Sequence, residues 1–214
     1  MINQVLSRNP RYARARHVRS EIFMENRLYT DALEEAQAAF EASGGNPEFR
    51  SHYALALLRN FRIEEGMNEA QAVLDVWPDF IEARLILAEG LIMSENRELA
   101  AHHLEIIEEG RELPQAEYLR AMLAAGAGDN NKARQHYDNY VKAVPDRPVA
   151  HMRRAVFLET VGDYSAAREA YQTVVQKFPD ATIVTEAQTA LNRVSASQSA
   201  PASSLPSRPP IPGL

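Results

Sequence analysis

Histidine and acidic side chains at suitable spacing would carry acid–base or metal chemistry. The six histidines are His17, His52, His102, His103, His136 and His151. His102 and His103 are adjacent, so on a helix they point about 100° apart and do not share an ion as an i, i+4 pair does. Glu105, Glu108, Glu109 and Glu112 form a carboxylate cluster whose spacing is that of a solvated helix face. The chain has no cysteine, which excludes disulfides, thiolate zinc sites and a cysteine nucleophile. A Gly-rich phosphate loop, an HExxH pair and a Gly-x-Ser-x-Gly elbow are all missing. The expectation is a protein that is not an enzyme and has no catalytic residues, cofactor or metal. One charged feature stands out near the start. Arg11, Arg14, Arg16 and Arg19, with Arg8 beside them, read either as a contact for an anion or acidic partner or as a solvated helix face paired with Glu34 and Glu35.

Composition narrows the partner classes. The 214 residues are 45% hydrophobic and 24% charged, ordinary for a soluble globular protein and unlike a disordered chain. Net charge is −6, which argues against nucleic acid as the partner, although residues 1–27 carry six arginines against two glutamates. No run approaches the roughly 18 apolar residues of a membrane-spanning helix, so no membrane segment is expected. Met1-Ile2-Asn3-Gln4 lacks the order of a secretory signal. The expected location is cytoplasmic, or periplasmic if the chain is a fragment of an exported protein. Twenty arginines against three lysines associate with a bacterial source of GC-rich genome.

The elements that must position any site are read from the prolines and the alanines. Pro10, Pro78, Pro145 and Pro179 are 68, 67 and 34 residues apart, multiples of a period of about 34. Pro47, Pro114 and Pro148 follow each break, where the first turn of a helix accepts proline. With units starting at Ala13, Pro47, Ile81, Pro114 and Pro148, the eighth residues are Ser20, Ala54, Ala88, Ala121 and Ala155. The twentieth are Ala32, Gly66, Ala100, Ala133 and Ala167. All ten are small. Larger apolar residues recur at the eleventh place (Phe23, Leu57, Leu91, Leu158) and the twenty-seventh (Val73, Ile107, Tyr140, Val174). Small residues at fixed intervals let two helix backbones approach closely, so each unit reads as an antiparallel helix pair. Turn signals such as Gly128-Asp129-Asn130 and Gly162-Asp163-Tyr164 divide the pairs.

Through this small–small–apolar pattern, the Gly162–Ala167 stretch and the closing prolines, residues 1–194 resemble the tetratricopeptide repeat family. The bulky aromatic usual early in that family's first helix is replaced here by Arg16, Arg50, Arg84, Glu117 and His151, and Gly66 stands where alanine is usual. The expected fold is all-α, a right-handed α-solenoid of stacked helix pairs. Residues 1–12 are the second-helix remnant of an upstream repeat. The repeats follow at 13–46, 47–80, 81–113, 114–147 and 148–181. Residues 182–194 form a capping helix and 195–214 a disordered Pro/Ser-rich tail carrying a Pro206-x-x-Pro209 match. A start in mid-repeat favours truncation.

The resemblance implies a concave groove lined by the first helices. Its expected partner contacts are Leu55, Leu58 and Arg59 in the second repeat and Leu85, Glu89, Ile92 and Met93 in the third. Tyr118 and Met122 follow in the fourth, and Met152 and Val156 in the fifth. The Lys and Asn set with which chaperone-associated members grip a C-terminal carboxylate is absent, since His17, Glu21, Ser51 and Leu55 stand there. An apolar, methionine-containing floor with glutamates along it suits a peptide or helical segment with apolar anchors flanked by Lys or Arg. Leu55, Leu85 and Met122 read equally as inter-helix core. The expected function is a protein–protein interaction scaffold. The alternatives are self-association into a homo-oligomer through the N-terminal face, and a spacer within a larger secretion or envelope protein.

Overall fold

A computed structural model describes residues 2–107 and 113–199 of the chain. Glu108, Glu109, Glu112 and the expected tail from residue 200 onward, with its Pro206-x-x-Pro209 match, lie outside the described residues. All regular structure among the described residues is helical, and the chain divides into two compact units, Met1–Glu109 and Gly110–Leu214. Unit 1 holds α1 (Ile2–Arg8), α2 (Ala13–Glu25), α3 (Tyr29–Ala42), α4 (Pro47–Arg59), α5 (Ile63–Leu74), α6 (Ile81–Met93) and α7 (Arg97–Ile106). Unit 2 holds α8 (Pro114–Gly126), α9 (Asn130–Ala143), α10 (Pro148–Thr160), α11 (Tyr164–Lys177) and α12 (Val184–Ser199). Within each unit every helix packs on its successor, and in unit 1 α4 also touches α2 and α6.

Small side chains make this stacking possible. Ser20, Ala54, Ala88, Ala121 and Ala155 have no exposed surface, and neither do Ala32, Ala100, Ala133 and Ala167. Gly66 is buried with them. A Cβ at Gly66 would lie 2.7 Å from Leu58 Cδ2 and 2.9 Å from the Ala54 carbonyl oxygen, so α4 and α5 meet there without room for alanine. Leucine, valine, tyrosine and phenylalanine side chains flank these contacts. Leu57, Leu58, Leu119, Tyr171, Phe157, Val73 and Val174 are all less than 2% exposed or close to it.

Each first helix ends in the same turn. Arg27, Phe61, Glu95, Gly128 and Gly162 have φ between +59° and +84°. The residue after each donates its N–H five residues back, to Phe23, Leu57, Leu91, Ala124 and Leu158 respectively, at 2.8–3.0 Å. This double-bonded helix end with one left-handed residue is the Schellman motif, which normally takes glycine because a Cβ clashes there. Unit 2 uses glycine at both turns, while unit 1 uses arginine, phenylalanine and glutamate. In unit 2 the second helices are then capped by Asp129 and Asp163, which accept from the N–H groups of Lys132 and Ala166.

Polar side chains take over where the usual aromatic is missing. Arg16 reaches Glu35, Arg50 reaches Glu69, Arg84 reaches His103 and Glu117 accepts from His136, always nineteen residues along the chain. Each of these ties the first helix of a repeat to its own second helix. Arg16, Arg84 and His151 also donate to the carbonyls of Pro10, Pro78 and Pro145, the prolines that close the preceding repeats. Burial works to raise the Glu117 carboxyl, but hydrogen bonds from His136, Asn139 and Arg120 outweigh it and hold the group below the usual carboxylate range.

The C-terminal helix departs from expectation. α12 starts at Val184 and runs on past Val194 to Ser199, so residues 195–199, read from their serines as the start of the tail, are helical. Ser195 returns its hydroxyl to the Leu191 carbonyl at 2.7 Å, which satisfies the side chain without breaking the helix. Ile183, Ala187, Ala190 and Val194 form the buried stripe that seats α12 on α11.

Two substitutions test these turns and contacts. Phe61 is 83% exposed, so Phe61→Gly loses little packing. Relief of the left-handed strain, about 1–2 kcal/mol, exceeds the added backbone entropy of glycine. The variant is expected to be about 0.5–1 kcal/mol more stable in urea denaturation. Gly66→Ala is expected to lose about 1 kcal/mol, because crowding against the Ala54 carbonyl exceeds the gain in helix propensity. A more stable alanine variant would show that the backbones are not held at that distance.

Candidate functional site

First helices are linked to one another by arginines. In unit 1, Arg14 of α2 meets Glu48 of α4 at 2.7 Å, and Arg59 of α4 meets Glu89 of α6 at 2.9 Å. In unit 2, Arg153 of α10 stacks its guanidinium 3.7 Å from the centre of the Tyr118 ring on α8. Arg193 of α12 makes two 2.8 Å bonds to Glu159 of α10. Glu89 and Glu159 are buried carboxylates, so each arginine supplies the countercharge without which burial would be strongly unfavourable. The Tyr171 hydroxyl donates to Glu159 at 2.7 Å, and burial together with that bond raises the phenol well above its ordinary value.

The expected contact residues divide by accessibility. Leu58, Leu85, Glu89, Ile92, Tyr118, Met122 and Met152 are buried in packing between helices. Leu55, Arg59, Met93 and Val156 are half-buried and keep surface toward solvent. In unit 2, Met152, Val156 and Glu159 of α10 face Thr185, Thr189 and Arg193 of α12 across a cleft of about 620 Å³, with Tyr171 at its base. That volume suits a few side chains of a bound segment. The cleft exists because α12 continues the first-helix row, and no single residue signals it in the sequence.

The arginine run is largely occupied within the chain. Arg16 and Arg19 both bind Glu35, and Arg14 binds Glu48. Arg11 is exposed. Glu35, one of the two carboxylates read as partners from the sequence, gathers two of these arginines.

A contact between the buried His17 and the half-buried His52 is the feature that residue types alone did not reveal. His17 of α2 and His52 of α4 meet edge to face with ring centres 4.5 Å apart, and Phe49 lies against His17 at 5.1 Å. The Ser20 hydroxyl donates to the Ala32 carbonyl at 2.7 Å, so His52 Nε2 donates to Ser20 Oγ at 2.8 Å. This chain of bonds joins α4, α2 and α3. Burial, reinforced by neighbouring His17, pushes His52 down to about 4. Burial also lowers His17, against the raising effect of Glu21 and Glu48. The fifth and sixth places of adjacent repeats come together here, a juxtaposition visible only once the repeat register is applied. No set of three His, Asp or Glu side chains able to hold a metal ion occurs among the described residues. No helix there is long and apolar enough to cross a membrane.

Comparison with known proteins follows the same lines. A family model described as tetratricopeptide repeat matches residues 1–47 and 118–182, just over half of the chain. None of the curated proteins matches. Among solved structures, the chain is similar to TTC0263, a thermophilic TPR protein of Thermus thermophilus, with a TM-score of 0.77 at 14% identity over 86% of this chain and 99% of that one. It is similar to PilW, a widely conserved type IV pilus biogenesis factor, with a TM-score of 0.61 at 22% identity over 89% and 87% of the two chains. YrrB, a TPR protein with an unusual peptide-binding site, aligns with a TM-score of 0.50 at 15% identity over 88% and 97%.

The histidine pair sets a pH dependence. A histidine held below its unfolded value binds its proton more readily in the unfolded chain, so stability is present at neutral pH and is lost as pH falls from about 6.5 toward 4. With His52 lowered to about 4, the loss between pH 7 and 4.5 is expected to be about 2–3 kcal/mol. Urea denaturation at the two pH values should show this loss, and a His52→Gln variant should show a loss smaller by that amount. Equal losses in both proteins would remove His52 as the cause.

Proposed function

The chain belongs to the tetratricopeptide repeat family, and from that premise we propose that it is a protein-binding scaffold whose first-helix faces take a peptide or helical segment of a partner. The preformed cleft of unit 2 carries this reading. Its floor is apolar at Met152, Val156 and Ala190, and its wall is polar at Thr185 and Thr189. A segment with an apolar anchor finds contact on one side and hydroxyls on the other. In unit 1, Leu55, Arg59 and Met93 offer half-buried surface of the same mixed kind. First-helix faces held rigid by Arg59–Glu89 within unit 1 and by Arg193–Glu159 within unit 2 lose little conformational freedom on binding. The peptide-binding site named for YrrB, a protein of similar fold, is in keeping with this use.

Peptides selected from a displayed dodecapeptide library on the immobilised chain supply the probe. Val156→Asp places a charge in the unit 2 cleft, and the double change Leu55→Asp, Met93→Asp does so on unit 1. The expected result is a loss of about tenfold or more in affinity for the matching variant, corresponding to about 1.4 kcal/mol, with helical circular dichroism unchanged. Unchanged affinity in both variants would contradict the proposal.

A further inference from the structure

On the first-helix face of unit 1, two carboxylates converge on one uncharged ring. Glu21 of α2 and Glu48 of α4 bring oxygens to 3.5 and 3.9 Å from Nε2 of His17. His17 is only 5% exposed. Neither contact has hydrogen-bond length and direction, and Nδ1 of the same ring is buried without a partner among the described residues. Burial keeps the imidazole neutral in spite of the two carboxylates, so it does not supply the charge that would balance them. Arg14 binds that same Glu48 oxygen, Oε1, at 2.7 Å, which leaves two negative charges against one positive.

This balance differs from that at the buried first-helix carboxylates. Glu89 and Glu159 are buried and each is matched by its own arginine. Glu21 and Glu48, by contrast, have side chains 52% and 53% exposed, open to an incoming group. Glu25, one turn along α2, is exposed and adds to the negative field. Because an oxygen of each carboxylate lies within 3.9 Å of one nitrogen, a single guanidinium or ammonium can reach Glu21 together with the Glu48 carboxylate, whose Oε1 it would share with Arg14. The lack of any metal-holding trio among the described residues directs the site toward an organic cation.

We infer that Glu21, Glu48 and His17 form the receptor for a lysine or arginine side chain of the partner segment. The two carboxylates supply the charge and the acceptors, and the neutral imidazole forms a close wall that adds no repulsion. This rests on the reading that a partner segment lies along the first-helix face, and it names the chemistry by which unit 1 would recognise that segment.

The test uses the full chain and the dodecapeptide library in parallel selections. One target is the natural chain, the second carries Glu21→Gln and Glu48→Gln, and the third carries Glu64→Gln and Glu169→Gln, which remove the same charge from exposed sites elsewhere. The inference expects peptides with an enriched Lys or Arg on the first and third targets, and loss of that enrichment on the second. Affinity of a selected basic peptide should fall about tenfold or more on the second target only. On the natural chain, the same peptide should move the ring resonances of His17. Enrichment of apolar peptides with no basic preference, or a basic preference retained on the second target, would overturn the inference and leave the binding reading standing. Failure to enrich any peptide on the natural chain would overturn the binding reading and the inference with it.

Discussion

Backbone-to-backbone distance between paired helices is the constraint on which the rest of this protein depends. Ten small positions, two in each repeat, have essentially no surface left, and at Gly66 even a methyl group would strike the Ala54 carbonyl. Once two helices are that close, large side chains such as Leu57, Phe157 and Tyr171 fill the space on either side. The left-handed turn after each first helix is a consequence. A chain that must reverse within a few residues to bring the eighth and twentieth places together has few conformations available. The same turn therefore appears at Arg27, Phe61 and Glu95 even where no glycine relieves it.

Polar contacts then set the register of one repeat on the next. The early first-helix position, where the family uses an aromatic, here carries arginine, glutamate or histidine. Arg16, Arg50, Arg84 and Glu117 bond to the second helix of the same repeat, while Arg16, Arg84 and His151 bond to the closing proline of the one before. A ring would fill that volume by dispersion alone, whereas a guanidinium specifies direction as well. Arginines between successive first helices do the same and neutralise the buried carboxylates Glu89 in unit 1 and Glu159 in unit 2. Twenty arginines and three lysines thus have a structural use, because a planar fork reaches two acceptors at once.

The fold class and the small-residue spacing were legible in the sequence because they follow from side-chain size and from proline, both strictly local properties. Helices starting at Pro47, Pro114 and Pro148 show how directly a missing N–H marks a first turn. Other features depend on what lies opposite. The left-handed turns in unit 1 carry no glycine to announce them. Ser195 reads as tail until its hydroxyl is seen to return to the helix. Leu58 and Leu55 of α4 read alike as expected contacts, yet one is buried against α5 and the other keeps surface, a difference set by the neighbouring helix. The His17–His52 contact needs two repeats to be placed side by side before it exists at all.

The proposed function draws on the same geometry. In unit 2 it uses the cleft beside α12, and in unit 1 the carboxylates open to solvent on α2 and α4. Both depend on the helix pairs standing at the distance that small residues allow. The most direct measurement compares the urea denaturation of Ala54→Leu, at a fully buried eighth position, with Ala42→Leu, exposed at the end of α3. If close approach holds the helix pairs together, the first loses about 3 kcal/mol or fails to fold, and the second changes by no more than about 0.5 kcal/mol. A leucine accepted at position 54 with an unchanged midpoint would contradict it.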